Sequence, residues 1–230
     1  MKRHDKTAVL LGLAWALLAA FPGWAASPFS GPAASASTVA PAVAEPSGVR
    51  PATEIEQARE YFGDTALVDQ EGRSLRLYSD LMADRVVVIA AMFTTCEGVC
   101  PVTMANFKQL QDWLGPRLGD DVLLLAVSVD PEQDTPERLA EYARAFGARE
   151  GWHFLTGERV DVDSVLRRLG LYAEVKESHS PVFLVGNERT GLWKKAMGLA
   201  GAEALTGIVE TVLRDRRPGD DAAVIAGADR

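Results

Sequence analysis

The chain has 230 residues, of which 47% are hydrophobic and 24% are charged, and its formal net charge is −8. These apolar residues suffice for a folded core, so a disordered or collagen-like chain is excluded. The acidic balance and the absence of a long run of lysine and arginine argue against nucleic-acid binding. Two cysteines are too few for a disulfide-dense scaffold or for a four-cysteine zinc or iron–sulfur site.

Residues 1–25 have the pattern of an export signal. A positively charged start, with Lys2 and Arg3, is followed by an apolar run from Ala8 to Phe21. This run is shorter than the ~20 residues that cross a membrane comfortably, and the small residues around Trp24 suit a cleavage site. We therefore predict a signal peptide or an N-terminal anchor. Either one exports the rest of the chain, and an anchor would keep it close to a membrane.

Three further segments differ in composition. Residues 26–53 are rich in alanine, proline and serine and lack periodicity, which predicts a flexible tether. Residues 54–215 alternate between strand and helix patterns and form the predicted folded body. Residues 216–230 have the composition of a loose C-terminal tail.

The folded body is predicted from its apolar patterns and its turn residues. Unbroken apolar runs predict strands that are buried on both faces, and apolar residues at helical spacing predict the helices between them. In chain order, the predicted elements are strands Thr65–Asp69 and Ser74–Tyr78, strand Val86–Phe93, helix Pro101–Leu114, strand Val122–Val129, helix Pro136–Phe146 with Asp134 or Thr135 as its N-cap, strand Trp152–Leu155, helix Val162–Leu169, strands Pro181–Val185 and Leu192–Met197, and helix Ala202–Leu213. This order predicts an α/β fold, a mixed sheet with helices on both faces and an added N-terminal β-hairpin.

The most informative local signal is the pair Cys96 and Cys100, which lies between a buried strand and a helix. The carboxyl ends of strands in open α/β sheets line the functional crevice, and a helix N-terminus lowers the pKa of a nearby thiol. The four-residue spacing is expected to put both sulfurs on one face of the first helical turn. Such a pair could bind a metal or exchange with a disulfide. The alternatives are a structural disulfide, which would remove little chain entropy across so short a loop, and two inert buried thiols.

Histidines and methionines are the other candidate ligands. His179 lies in a polar loop that leads into a strand of the same sheet, so it could reach the end where the cysteines lie. His153 falls inside an apolar run and is predicted to be a half-buried or surface strand residue. Met92, Met104 and Met197 fit strand or helix patterns and are predicted to lie in the core. Two thiolates and one imidazole suit copper or, with a fourth ligand, zinc.

Several segments together resemble the SCO/SenC family of thioredoxin-like, copper-binding assembly factors for cytochrome c oxidase. The resemblance extends from about Phe62 to Gly198. It is carried by Phe93-Thr-Thr-Cys96-Glu-Gly-Val-Cys100-Pro101, Val127-Ser-Val-Asp-Pro-Glu-Gln-Asp-Thr-Pro-Glu137, Leu139-Ala-Glu-Tyr142, Phe154-Leu-Thr-Gly157 and His179-Ser180. The first two segments in this order are specific, whereas the spacing of the two cysteines alone would be weak evidence.

The resemblance implies a thioredoxin-like fold and one copper ion held by Cys96, Cys100 and His179. It implies a metallochaperone that delivers copper to the oxidase subunit carrying the dinuclear copper centre, with a redox-active cysteine pair that could reduce the cysteines of that centre. It also implies a location in the periplasm or at the outer face of the inner membrane. Asp130 and Glu132 match the acidic segment of the family and are expected either near the site or in a turn before the next helix.

Two positions depart from the family pattern. Glu97 stands where a proline usually follows the first cysteine, and its carboxylate is expected to raise the pKa of the thiols. Ser178 stands where an aspartate usually precedes the histidine, so an expected partner of the imidazole is missing. These departures support a second hypothesis, an exported thiol-disulfide oxidoreductase that acts on thiol-disulfide partners without stable metal binding. A peroxiredoxin-like peroxidase is disfavoured because the threonine or serine and the arginine expected around a peroxidatic cysteine are not apparent.

Overall fold

A seven-stranded mixed sheet forms the centre of the computed structural model, which describes residues 50–217. The strands are β1 (Ala66–Asp69), β2 (Ser74–Arg76), β3 (Val86–Met92), β4 (Val122–Ser128), β5 (Trp152–Thr156), β6 (Val182–Asn187) and β7 (Leu192–Met197). The helices are α1 (Ala52–Phe62), α2 (Val99–Leu114), α3 (Pro136–Phe146), α4 (Arg159–Leu169) and α5 (Ala202–Arg214). Shorter helical segments are a π-helical one at Leu77–Met82 and 3-10 turns at Gly115–Arg117 and Lys176–Ser178.

The strand order of the sheet is β2-β1-β5-β4-β3-β6-β7. β3, β4 and β5 run parallel to one another. On one side of them, β1 pairs antiparallel with β5 and β2 with β1. On the other side, β6 pairs antiparallel with β3 and β7 with β6. Every residue of β3 and β4 is buried, and their register pairs Val86 with Val122 and Met92 with Ser128. The prediction of two central strands from unbroken apolar runs is confirmed, and the carboxyl ends of the two strands lie level with each other.

Helices cover both faces of this sheet. Phe107 of α2 packs against Phe183 of β6 on one face, with ring centroids 5.0 Å apart. Phe62 of α1 packs against Trp193 of β7, with ring centroids 4.9 Å apart. Trp193 is paired in register with Gly186, which lies on the opposite face of β6 from Phe183 because side chains alternate along a strand. The predicted mixed sheet with helices on both faces and an N-terminal hairpin is therefore confirmed.

α1 and the shorter helical segments were not predicted. α1 is mostly polar, with Ala58 and Phe62 as its buried residues, so its sequence shows little apolar periodicity. It begins at Ala52, inside the segment that composition predicted to be a tether. The second hairpin strand, predicted to reach Tyr78, ends at Arg76 because the π-helical segment begins at the next residue.

The helix boundaries follow recognisable end signals. Thr135 caps α3 by accepting a backbone hydrogen bond at 3.4 Å, Pro136 is its first residue, and Gly147 ends it with a φ of 64°. This cap and this helix start were both predicted. α2 begins at Val99, two residues before the predicted Pro101, and it tolerates the proline because N–H groups in the first turn of a helix have no partner within it.

Some of the predicted segments fall outside the part of the chain that the structure describes. These are the signal segment at residues 1–25, the tether as far as residue 49 and the tail beyond residue 217. Within residues 50–217, no helix combines the length and the apolar character that a bilayer crossing requires.

Gly186 offers a test of the packing between α1 and the sheet. A Cβ atom added there would lie 2.5 Å from the indole of Trp193, so the ring or the strand would have to move. We expect Gly186→Ala to lower the free energy of unfolding by about 1–3 kcal/mol, the usual effect of overpacking a core. Urea denaturation followed by far-UV circular dichroism measures this change.

The matched control is Gly207→Ala in α5, where an added Cβ atom meets nothing within 4 Å. Alanine is the better helix former, so this substitution is expected to raise the free energy of unfolding by up to about 1 kcal/mol. Effects of the same sign and size at both glycines would contradict the described packing of Trp193.

Candidate functional site

Cys96 and Cys100 lie at the carboxyl end of β3, where the chain passes into α2. The N–H of Cys96 donates to the carbonyl of Phe93 at 3.2 Å in the turn after the strand. Cys96 is half-buried, whereas Cys100, in the first turn of α2, is completely buried. Because α2 begins at Val99, Cys96 precedes the helix. The expectation that both sulfurs lie on one face of a helical turn is therefore wrong.

The two cysteines are free thiols with different surroundings. Burial by itself would raise the pKa of Cys96, but hydrogen bonds from the thiol and N–H of Cys100 and from the N–H groups of Gly98 and Val99 outweigh it, so the pKa of Cys96 is lowered. Burial raises the pKa of Cys100 to about 12, and its hydrogen bond to Cys96 adds to the shift. Cys96 is therefore the more acidic of the two thiols, and the buried Cys100 holds its proton more tightly.

His179 approaches Cys100 from the loop between α4 and β6. It follows the 3-10 turn Lys176–Ser178 and is only 5% exposed. Its Nδ1 lies 2.7 Å from the carbonyl oxygen of Lys176, and its Nε2 lies 3.5 Å from the Sγ of Cys100. Since a carbonyl oxygen can only accept, Nδ1 carries a proton, and in the tautomer that has its single proton there, Nε2 presents a lone pair to Cys100.

The backbone orients this imidazole in place of the aspartate that usually precedes the histidine. The hydroxyl of Ser178 donates to the carbonyl of Val175 at 2.7 Å and so does not serve the ring. The Lys176 carbonyl holds the ring at Nδ1, and the ring of Phe93 meets it edge to face, with centroids 5.5 Å apart. The serine at position 178 therefore does not leave the imidazole without a partner.

The structure brings the three predicted ligands together in pairs. Cys96 is close enough to Cys100 for each thiol to shift the pKa of the other, and Cys100 contacts His179. In the described chain, residues 50–217, no three His, Cys, Asp or Glu side chains are grouped closely enough to hold a metal ion. Two thiols and an imidazole are a donor set that suits copper. A three-ligand site would therefore need the loop that carries Cys96 to rearrange.

Glu97 does not have the effect on the thiols that the sequence led us to expect. Its side chain is exposed, and water and salt screen an exposed carboxylate effectively. The pKa of Cys96 is lowered rather than raised, and the raised pKa of Cys100 is due first to burial. The expected effect of this carboxylate is therefore not among the main causes of either pKa shift.

Asp134, which the sequence indicated only as a candidate helix cap, fixes the loop that leads to Cys96. Its buried carboxylate accepts hydrogen bonds from the N–H of Thr94 at 3.1 Å and from the hydroxyls of Thr94 and Ser128, each at 2.5 Å. Thr94 lies just beyond β3 and Ser128 ends β4, so one carboxylate joins the ends of both central strands. Sequence spacing could not indicate this contact, because Thr94 is 40 positions away along the chain.

The hydroxyl of Tyr142, on α3, is a second group near the cysteines that the sequence did not single out. Its oxygen is buried without a hydrogen-bond partner. Burial raises the pKa of Tyr142, and its electrostatic interaction with the Cys100 and Cys96 side chains adds to the shift. The hydroxyl therefore lies within electrostatic reach of the cysteine pair and stays protonated.

The remaining candidate ligands lie elsewhere. His153 is a half-buried residue of β5, as predicted, and its Nδ1 lies 3.5 Å from the carboxylate of Asp69. Met92 and Met104 are buried in the core, as predicted. Met197 is 62% exposed, so its predicted core position is wrong. It ends β7, an outermost strand, where fewer neighbours are available to cover a side chain.

Comparison of the sequence with known proteins identifies its relatives. A family model described as SCO1/SenC matches residues 53–207. The SCO1 protein homolog of Bacillus subtilis is 34% identical over 90 residues, which cover 39% of this chain and 45% of that protein. The chain thus aligns with less than half of the length of this curated relative.

Solved structures of Sco proteins share the fold. Copper-bound ScoI of Arabidopsis thaliana is 25% identical, with a TM-score of 0.55 over 66% of this chain and 98% of that chain. A second structure, of a protein in which a disulfide switch was identified, is described as a member of the Sco family of cytochrome c oxidase assembly proteins. It is 23% identical, with a TM-score of 0.53 over 64% of this chain and 90% of that chain. The mixed sheet is the thioredoxin-like fold of these proteins, and the chain belongs to the SCO1/SenC family.

Proposed function

We propose that this protein is a copper chaperone that binds one copper ion through Cys96, Cys100 and His179. It would deliver the ion to the dinuclear copper centre of a cytochrome c oxidase. The observation that carries the proposal is the lone pair of His179 Nε2, which faces the Cys100 sulfur at 3.5 Å beside a second thiol. Membership of the SCO1/SenC family, which has a copper-bound structure among its members, supports copper as the cargo.

The chemistry of the donor set supports this choice of metal. Thiolates are soft ligands that favour Cu(I), and an added imidazole also accommodates Cu(II). The contact of Nδ1 with the Lys176 carbonyl leaves Nε2 as the ring nitrogen through which His179 would bind the metal. The two thiols must each lose a proton when they bind, and burial makes that loss hardest at Cys100.

A second function, thiol-disulfide exchange, is favoured by the differences in pKa and burial between the two thiols. The more exposed, lower-pKa Cys96 would attack a partner disulfide, forming a mixed disulfide and releasing one partner thiolate. Cys100 would then attack the Cys96 sulfur, with its proton passing to Nε2 of His179, and the second partner sulfur would leave as a thiolate. The partner disulfide is reduced, and a Cys96–Cys100 disulfide is the oxidised product. The same exchange would prepare the cysteines of an oxidase copper centre for metal.

The proposed location is outside the cytoplasm, in the periplasm or anchored at the outer face of the inner membrane. It rests on the signal pattern of residues 1–25 and on the similarity to a SCO1/SenC family lipoprotein of Bacillus anthracis, which is 24% identical. Arg50 is ion-paired at 2.8 Å with Glu188, which follows β6 at the end of the sheet away from Cys100. The chain therefore enters the folded body at the end opposite the proposed copper site.

Copper stoichiometry tests the proposed function directly. The reduced protein is given Cu(I) without oxygen and desalted, and the metal retained per chain is counted. We expect one equivalent in the wild type and little or none in Cys96→Ala, Cys100→Ala and His179→Gln, since each removes one ligand of a three-ligand site. His153→Gln is the matched control and should retain one equivalent, because His153 lies in β5 beside Asp69. If His179→Gln retained as much copper as the wild type, the proposed ligand set would be wrong.

The pH dependence of copper affinity gives a second test. The pKa of Cys100 is about 12 in the free protein, so its proton must be released on binding at any physiological pH. We therefore expect affinity to rise between pH 6 and pH 8, by about tenfold per pH unit for each thiol proton released. Competition with a Cu(I) chelator of known affinity measures the slope. An affinity that is independent of pH would rule out coordination by Cys100 as a thiolate.

Thiol reactivity tests the dithiol function. Because its pKa is lowered and its side chain is partly exposed, Cys96 is expected to react with iodoacetamide at least about tenfold faster than Cys100 at pH 7.5. Mass spectrometry of the Cys96→Ser and Cys100→Ser variants gives the rate for each remaining thiol. Equal rates, or faster reaction of Cys100, would show that Cys96 is not the attacking thiol.

A further inference from the structure

We propose that the ion pair between Asp130 and Lys176 is a latch that positions His179 for metal binding. The consequence for copper rests on the proposed function, whereas the effect on the imidazole itself does not. Asp130 lies in the turn after β4, and Lys176 lies in the loop that carries His179. Their side chains meet at 2.6 Å, from Nζ of Lys176 to Oδ2 of Asp130.

The Asp130 end of the latch is held by the turn around it. Asp130 is 7% exposed, and its N–H donates to the hydroxyl of Ser128 at 3.0 Å. Its carbonyl accepts from the N–H groups of Gln133 at 3.0 Å and Asp134 at 2.9 Å. The carboxylate therefore projects from a turn that is fixed to the end of a buried central strand.

The Lys176 end joins this fixed turn to the imidazole. Its ammonium contacts Asp130 and lies 5.2 Å from the ring centroid of Phe93. The carbonyl of the same residue accepts from Nδ1 of His179 at 2.7 Å and from the His179 N–H at 3.2 Å. One residue therefore links a rigid carboxylate, through its side chain, to the imidazole, through its backbone.

The loop has few other means of holding its shape. Glu174, Val175, Glu177, Ser178 and Ser180 are all exposed, so their side chains add little packing. The hydrogen bonds within the 3-10 turn set its local shape but do not attach it to the sheet. Lys176, through Asp130, and the imidazole of His179, through Cys100, attach this loop to the ends of the central strands. Loss of the ion pair should therefore release the carbonyl that selects the Nδ1–H tautomer of His179.

The charges around the pair make it possible to remove either partner without burying a lone charge. Nη2 of Arg159 lies 3.8 Å from Oδ1 of Asp130, so a second cation remains when Lys176 is replaced. The Lys176 side chain is 34% exposed, so water can solvate its ammonium when Asp130 is replaced. Variants at both positions are therefore expected to fold, which thermal unfolding verifies.

The test compares Lys176→Met, Asp130→Asn and their double variant with the wild type. The first measurement is the 15N chemical shift of the His179 ring nitrogens in the metal-free protein, which reports the tautomer and needs no copper. The second is Cu(I) affinity, by competition with a chelator. Lys176→Arg is the conservative variant that should rescue both. Lys195→Met, which removes a charge from an exposed lysine of β7, is the matched control.

We expect the wild type and Lys195→Met to show the Nδ1–H tautomer, and Lys176→Met and Asp130→Asn to show a mixture. Cu(I) affinity should fall by about 10–100-fold in each single variant, the usual effect of losing the group that orients a ligating histidine. The double variant should bind no more weakly than either single variant, because both break the same contact.

A wild-type tautomer in Lys176→Met would overturn the latch, as would affinity losses that simply add in the double variant. Failure of the proposed function is distinguishable from failure of the latch. If the wild-type protein binds no copper, the proposed function is wrong, but the ring shifts of the metal-free variants still decide whether Asp130 and Lys176 position His179.

Discussion

The site depends on one packing constraint, the burial of β3 and β4 on both faces in a register that ends them at the same level. Burial of apolar area is the main favourable term in folding, and side chains that lie inside such strands must be apolar. Polar and reactive side chains can therefore be accommodated only at or beyond the ends of these two strands. Cys96, Thr94, Asp130 and Asp134 all follow one of these two strand ends, and β6 begins at the same edge just after His179.

Two carboxylates of a single turn hold the two loops that carry the proposed ligands. Asp134 accepts hydrogen bonds from Thr94 in the cysteine loop, and Asp130 pairs with Lys176 in the histidine loop. Both carboxylates lie in the segment between β4 and α3, so both loops are attached to the end of the same strand. A buried carboxylate is stable only when donors satisfy it, and each of these two has donors from a neighbouring loop. Asp130 and Asp134 thereby fix the position of each loop relative to the core.

The sequence was sufficient to predict the features that depend on pattern. The unbroken apolar runs predicted β3 and β4, and Thr135 and Pro136 marked the start of α3, because these signals act over a few neighbouring residues. α1 was missed because tertiary packing of Phe62 stabilises a helix whose sequence is mostly polar. The roles of Asp134 and Lys176 could not be predicted, since each contacts a partner 40 or more positions away. The proposed ligands could be selected from the sequence by their residue types. Their orientation could not, because it depends on these contacts between residues that are distant along the chain.

The division of the site into a fixed and a rearranging half fits a protein that must release what it binds. Cys100 and His179 are buried and already in contact, whereas Cys96 lies before the helix on a more exposed loop. If the competent arrangement is only a fraction of the ensemble, apparent copper affinity falls by that fraction, which favours transfer to a preformed centre. The same order would serve the proposed disulfide exchange, in which Cys96 would meet the partner and Cys100 would resolve the mixed disulfide. The two proposed functions, copper delivery and dithiol reduction, would therefore both use the difference in burial between Cys96 and Cys100.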